Sequence, residues 1–302
     1  MDKLIEDVKS FERIIREIIK ENCSFGNQLL YDICVDKKEQ QWGNFGVLAD
    51  KIWLIGRSYA ASPERRYTYK SECKDKDRTN DNVGDGTGEY FESVAKYILN
   101  TAKNTPRTIN ILNNGYLFDF SNSDCETLFI GINSVLKFNK LIVNASANYD
   151  GIEFANKVNY RNQVSFCSKF LHFHFPETIF IIDSFSKKGA SYLFSKGTRT
   201  SAVVKHSNGE VKISNAKKGE PKGAINLLLD YQAYVSNYKM FKKEFVKKLE
   251  ELKLDSHGIE YAKHCLRAYK IACLFKMFSE DELPSCSYPR IVDTLLLKIQ
   301  SI

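Results

Sequence analysis

The chain has 302 residues, 43% of them hydrophobic and 13% aromatic, which is enough apolar material to fill a sizeable core. Lysines and arginines outnumber the acids, 44 against 37, so the formal charge is +7 and the sequence pI about 8.8, a balance that suits a polyanionic partner without demanding one. No apolar run approaches the length of a bilayer span, and the eight cysteines form no CxxC pair and meet no histidines at zinc spacing, so a membrane protein, a disulfide scaffold and a zinc domain are excluded as readings.

In chain order the pattern is mostly helical. "MDKLIEDVKSFERIIREIIK", residues 1–20, repeats apolar side chains at three- and four-residue steps with charges between them, which makes it an amphipathic helix and not a signal peptide. The expected setting is therefore cytoplasmic, with reduced cysteines. "ADKIWLIGRSYAA", 49–61, reads as a second helix that stops at "SPERR". There Ser62 is placed to cap a new helix and Pro63 to sit in its first turn, where proline's missing donor costs nothing. Residues 70–88 are almost wholly polar and end in glycines, which predicts a mobile loop before the helix "EYFESVAKYILNTA", 89–102. Asp75 and Asp77 in that loop lack the glycine and closing glutamate of an EF-hand, and "GDGTG" lacks both the strand and the GK[ST] of a phosphate-binding loop.

"SAVVKHSNGEVKIS", 201–214, is the clearest local signal. With Asn208 and Gly209 as the turn, Val204 and His206 share a face with Val211 and Ile213, while Lys205, Ser207, Glu210 and Lys212 share the other. A two-stranded hairpin is predicted. "YVSNYKMFKKEFVKKLEELK", 234–253, puts Tyr238, Phe241, Phe245, Leu249 and Leu252 on one stripe, and "GIEYAKHCLRAYKIACLFKMF", 258–278, is apolar enough for a central helix.

The most informative stretch is "VSFCSKFLHFHFPETIFIIDS", 164–184. On a helix, Ser165, Ser168, Lys169 and His172 fall at i, i+3, i+4 and i+7, a narrow polar stripe, while Val164, Phe166, Cys167, Phe170, Leu171 and Phe173 cover the rest of the circumference. Such a helix is surrounded by protein and holds Lys169 in or beside the core. Pro176 ends it, "TIFII" crosses the interior in extended form, and Asp183 is placed to cap a helix over "SFSKKGASYLF". Read blandly, the lysine snorkels to water, the aspartate is only a cap, and the histidine is hydrogen-bonded in the core.

The same arrangement resembles the helix-hairpin-helix DNA glycosylases, particularly the 8-oxoguanine glycosylase branch and its divergent bacterial relatives, over about residues 150–195. The resemblance implies a mainly α, two-lobed glycosylase-like fold in one compact unit. Residues 1–120 form the N-terminal helical lobe, and 121–302 the lobe with the lysine and aspartate segment, the 202–214 hairpin as an appendage, and the C-terminal helices. It implies that Lys169 is the catalytic lysine and Asp183 the catalytic aspartate of a DNA-repair or antiphage hydrolase that cleaves an N-glycosidic bond, with lyase activity if the lysine attacks. Breaking that bond builds positive charge on the sugar, which the Asp183 carboxylate stabilises. An attacking lysine must be neutral, a state that burial among Phe166, Phe170 and Phe173 favours. His172, one turn on, shuttles a proton or orients the substrate. No cofactor and no metal are needed, and the base is extruded into an aromatic-lined pocket.

The expected partner is nucleic acid, DNA rather than RNA. Lys196, Arg199, Lys205, Lys212, Lys217, Lys218 and Lys222 are opposed locally only by Glu210 and Glu220, which makes the hairpin and its tail the expected phosphate contact. An edge hairpin protected by solvated lysines is the alternative. Arg57, Arg65 and Arg66 form a second basic group, where Glu64 makes an internal ion pair an equal expectation. A non-catalytic nucleic-acid-binding or host-defence module, a nuclease and a protein-interaction scaffold remain as functional alternatives.

Overall fold

The computed structural model describes residues 28–35, 44–59, 61, 63–69, 88–104, 125–194, 202–207, 210–215, 238–278 and 288–300. The expected N-terminal helix over 1–20 and the polar loop ahead of residue 88 lie outside them. Among the described residues the fold is mainly α, with short two-stranded antiparallel sheets. No helix there is long and apolar enough to cross a membrane.

The hairpin has the register that its alternation predicts. Strands β3 (Ala202–Ser207) and β4 (Glu210–Asn215) pair with Val204 opposite Ile213, Lys205 opposite Lys212 and His206 opposite Val211. A second sheet carries no sequence signal. Its strands, β1 (Tyr67–Tyr69) and β2 (Val158–Tyr160), stand about ninety residues apart in the chain and pair Tyr67 with Tyr160 and Tyr69 with Val158. This sheet corrects the helix expected at Pro63: residues 63 and 64 form a turn that leads to β1, because Tyr67–Tyr69 has a distant strand to pair with.

The chain divides into two units. One unit comprises Leu29–Gly115 and Ile130–Phe175, and the other Met1–Gln28, Tyr116–Phe129 and Pro176–Ile302.

In the first of these units, helix α1 (Gln28–Val35) is followed by α2 (Phe45–Ser58), whose start is fixed by Asn44. The Asn44 side chain accepts from the Gly46 and Val47 amides at 2.9 and 3.3 Å, satisfying two donors that a helix start leaves open. Helix α2 buries Leu48, Ile52 and Ile55 and packs on both α3 (Gly88–Asn104) and α6 (Val164–His174). The long α4 (Cys125–Asp150), which belongs to this unit from Ile130 on, and the single turn α5 (Ile152–Ala155) precede β2. In α6 every side chain from Phe166 to His174 is buried, and Phe170 stacks on Phe138 of α4 at 5.1 Å between centroids. Each fully buried phenylalanine of this kind contributes about 1.5–3 kcal/mol of transfer free energy.

The other unit contains α7 (Ser184–Phe194), the β3–β4 hairpin, α8 (Tyr238–Glu251), α9 (Ser256–Phe278) and α10 (Tyr288–Gln300). The predicted stripe on α8 buries Phe241 and Phe245, and Phe241 stacks on Tyr269 of the central α9 at 4.4 Å. Helices α7 and α10 come very close at Gly189: a Cβ built there would lie 2.1 Å from the Leu296 carbonyl oxygen. Gly189→Ala is therefore expected to destabilise this unit by about 1–3 kcal/mol through overpacking against rigid backbone, read as a lower midpoint in urea unfolding. A wild-type midpoint would mean that the two helices separate freely.

Candidate functional site

Helix α6 starts without a side-chain cap on its own first residue, yet its entry is fixed. The Asn162 side chain accepts from the Val164 amide at 2.9 Å, and Asn139 of α4 accepts from the Gln163 amide at 2.8 Å. From this start the expected polar stripe faces protein. Lys169 is only 5% exposed, and its ammonium donates to the Tyr59 carbonyl at 3.3 Å and lies 5.6 Å from the centre of the Tyr59 ring. Tyr59 is the C-cap of α2. The negative end of a helix and an aromatic face are both partners that a cation takes, so Lys169 closes α2 from a separate element.

His172 is fully buried. Its Nε2 lies 2.7 Å from the Tyr31 hydroxyl of α1, and the Tyr31 and His172 rings meet edge to face at 5.8 Å. His174, two residues on, is held by its Nδ1 against the Phe170 carbonyl at 2.8 Å. Tyr31 and Tyr59, the partners of the two polar side chains, stand more than a hundred residues away in the chain, where no local pattern marks them.

Asp183 belongs to the other unit. As expected it caps α7: its Oδ1 accepts from the Ser186 amide at 2.8 Å, while its own amide donates to the Ser186 hydroxyl at 2.9 Å, a reciprocal capping box. The preceding run Thr178–Ile182 is buried throughout and belongs to no strand, so its backbone polar groups need partners from elsewhere. Helix α9 supplies two. The Tyr261 hydroxyl donates to the Phe180 carbonyl at 3.0 Å, and His264 Nε2 lies 2.9 Å from the Ile181 carbonyl and donates to it. Burial pushes the His264 imidazole down to about 4; the Ile181 hydrogen bond and Asp183 oppose that shift, and Arg267 and Lys187 reinforce it. Sequence reading missed Tyr261 and His264. Their spacing of three on an apolar helix was the available sign.

The basic candidates separate. Lys205 and Lys212 stand directly opposite one another in the hairpin register, whereas Lys196, Arg199, Lys217 and Lys218 lie outside the described residues. Arg57 is exposed and paired with Glu64 at 3.0 Å, the internal ion pair that was one of two expectations, and Arg65 is exposed.

Arg66 is also held in an internal ion pair, with Asp150. It is buried, and its Nε donates to the Asp150 carboxylate at 3.0 and 3.2 Å, while a second nitrogen reaches Asp150 Oδ1 and a third the Glu64 carbonyl. The guanidinium lies 4.5 Å from the Tyr90 ring centre and 5.3 Å from those of Tyr67 and Tyr149. Burial disfavours the Arg66 charge, but hydrogen bonding and attraction to Asp150 outweigh it, so the group titrates above its usual value. The Tyr160 hydroxyl donates to the same carboxylate at 2.9 Å; burial, that bond and the Asp150 charge all raise it.

No group of three or more His, Cys, Asp or Glu side chains among the described residues is arranged to hold a metal ion. What the described residues define is a mainly helical protein with a buried, helix-closing lysine and an aspartate-capped helix at the end of a buried run. No family model matches the chain, and no curated protein and no solved structure matches it significantly.

Proposed function

We propose that the chain is a DNA-glycosylase-like enzyme that releases a damaged or modified base from DNA. The observation that carries this reading is the succession of local structures over residues 164–194. A buried helix bearing Lys169 leads to a turn after Phe175, then to a buried run outside any strand, and then to Asp183 at the head of α7. That is the order of elements which the resemblance to helix-hairpin-helix glycosylases implies. Asp183 stabilises the oxocarbenium character that grows on the sugar as the C1′–N bond breaks and the base departs with the bonding electrons. On the hydrolytic route water adds at C1′ and loses a proton. On the lyase route the Lys169 amine, having given up its proton, forms the C–N bond there instead, the sugar ring opens to the imine, and loss of a C2′ proton expels the 3′ phosphate.

Full-length protein incubated with duplexes that each carry one modified base should release a base, followed by chromatography. Asp183→Asn should leave duplex binding within about twofold, as expected when a group acts on the transition state rather than on ground-state binding, and should abolish release. Borohydride should trap a covalent adduct that Lys169→Ala lacks. Release by Asp183→Asn at the wild-type rate would remove the assignment.

A second reading is a nucleic-acid-binding module without chemistry, and one observation favours it: the Lys169 amine is already bonded to the Tyr59 carbonyl. On this reading no base is released, while binding persists and depends on the hairpin. Lys205 and Lys212 are opposite one another in the strand register, and lysine is a residue type that contacts phosphate. Lys205→Glu with Lys212→Glu should then weaken binding and flatten its salt dependence.

A further inference from the structure

Helix α3 carries five polar side chains on one face. Ser93, Lys96, Tyr97, Asn100 and Thr101 stand at i, i+3, i+4, i+7 and i+8, while Phe91, Ala95, Ile98 and Leu99 are buried on the other side. A solvated helix face is ordinarily convex. Here Asn148 in the last turn of α4 stands beside it, and the six residues line an open groove of about 440 Å³. That volume falls within the span of about 300–1,000 Å³ found for small-ligand sites.

The chemistry of the lining narrows the ligand. Two carboxamides, three hydroxyls and one ammonium line the groove, and no carboxylate does. The carboxamides both donate and accept, so they read sugar hydroxyls or a base edge. Tyr97 adds an aromatic face on which a base can stack. Lys96, the one charged lining residue, pairs with Glu92 one turn back at 3.4 Å and lies 4.5 Å from the centre of the Phe45 ring. Both members of that pair are about half exposed, 51% and 53%, and an exposed pair of this kind is readily exchanged for a phosphate.

We infer that this groove is a binding site for a phosphosugar unit, with Lys96 on the phosphate and Asn100 and Asn148 on the sugar or base. The unit comes from one of two sources, a nucleotide within a polynucleotide or a free nucleotide. The inference is independent of base release and of the β3–β4 hairpin.

The test is a pair of titrations of the full-length chain at low salt, one with a fluorescein-labelled deoxyadenosine 10-mer followed by anisotropy, the other with deoxyadenosine 5′-monophosphate followed by calorimetry. At least one of the two should bind, and Lys96→Glu should weaken that binding about tenfold while lowering the magnitude of its salt slope by about one. Asn100→Ala with Asn148→Ala should weaken it severalfold with the salt slope kept, because amides carry no charge. Binding of the 10-mer alone assigns the site to polynucleotide, and binding of the monophosphate assigns it to the free nucleotide. All three positions are exposed, so the variants should fold, with unchanged circular dichroism as the control. The inference is overturned if neither probe binds, or if both bind the groove variants as they bind the wild type. Loss of 10-mer binding only in Lys205→Glu with Lys212→Glu overturns it too, and leaves the proposed action on nucleic acid standing.

Discussion

Replacing Asp150 by alanine is expected to lower the stability of its unit by about 3–5 kcal/mol, because it leaves the Arg66 guanidinium buried without its counter-charge. Arg66 is 5% exposed, and the pair is held by several hydrogen bonds inside a wall of tyrosine rings. The loss should not stop at the ion pair, since the Tyr160 hydroxyl donates to the same carboxylate and Tyr160 stands in the sheet opposite Tyr67. Urea unfolding of Asp150→Ala, Arg66→Ala and the double variant measures this directly. The double variant should be less destabilised than the sum of the singles, because the second substitution removes the orphaned partner. Strictly additive losses would mean that the pair is not coupled. By contrast, removing the exposed Lys187–Glu260 pair, at 3.1 Å, should change stability by less than about 1 kcal/mol.

The second large effect is acid sensitivity centred on His264. The imidazole is neutral in the fold, with its pKa lowered to about 4 against an ordinary value of 6.5, and only 4% of it is exposed. The unfolded chain therefore binds a proton below pH 6.5 that the folded chain refuses until about pH 4. Stability from this group is fully present above pH 6.5 and is lost as pH falls towards 4, by about 3 kcal/mol in all. His264→Gln keeps a donor for the Ile181 carbonyl and removes the titration. Measured by urea unfolding at a series of pH values, the stability difference between wild type and variant should shift by that amount between pH 7 and pH 4 in favour of the variant. A difference independent of pH would show that His264 titrates alike in both states.

Much of the fold is legible wherever the determining contacts are local. The NG turn fixes the hairpin register, the carboxylate at Asp183 announces the start of α7, and the apolar circumference of α6 foretells its burial. The failures share one cause, a partner far along the chain. Pro63 and the residues after it read as a helix start, but β1 finds β2, and Arg66 finds Asp150 some eighty residues on. The long α4 is not announced by its sequence because its buried face carries Ser134, Asn139 and Ser146. Two of them meet a structural need visible only in three dimensions: Asn139 takes the Gln163 amide, and Ser146 lies 3.0 Å from the Tyr90 hydroxyl. For the candidate site, the sequence names Lys169, His172 and Asp183, but not Tyr59, Tyr31, Tyr261 or His264, the side chains that hold them or the backbone beside them.

The run from Thr178 to Ile182 has a consequence for how this chain tolerates change. Because Tyr261 and His264 hold two successive carbonyls, the stretch is indexed against α9 residue by residue, much as a rack is indexed by a pinion. Adding or deleting a single residue there would move both carbonyls off their donors and carry Asp183 away from Ser186 in the same stroke. Side chains along this stretch are free to drift among apolar types of similar volume, whereas its length is not. Homologous chains should therefore vary in spelling but not in spacing between Pro176 and Ser184, and a one-residue insertion scan should find its sharpest loss of soluble protein there.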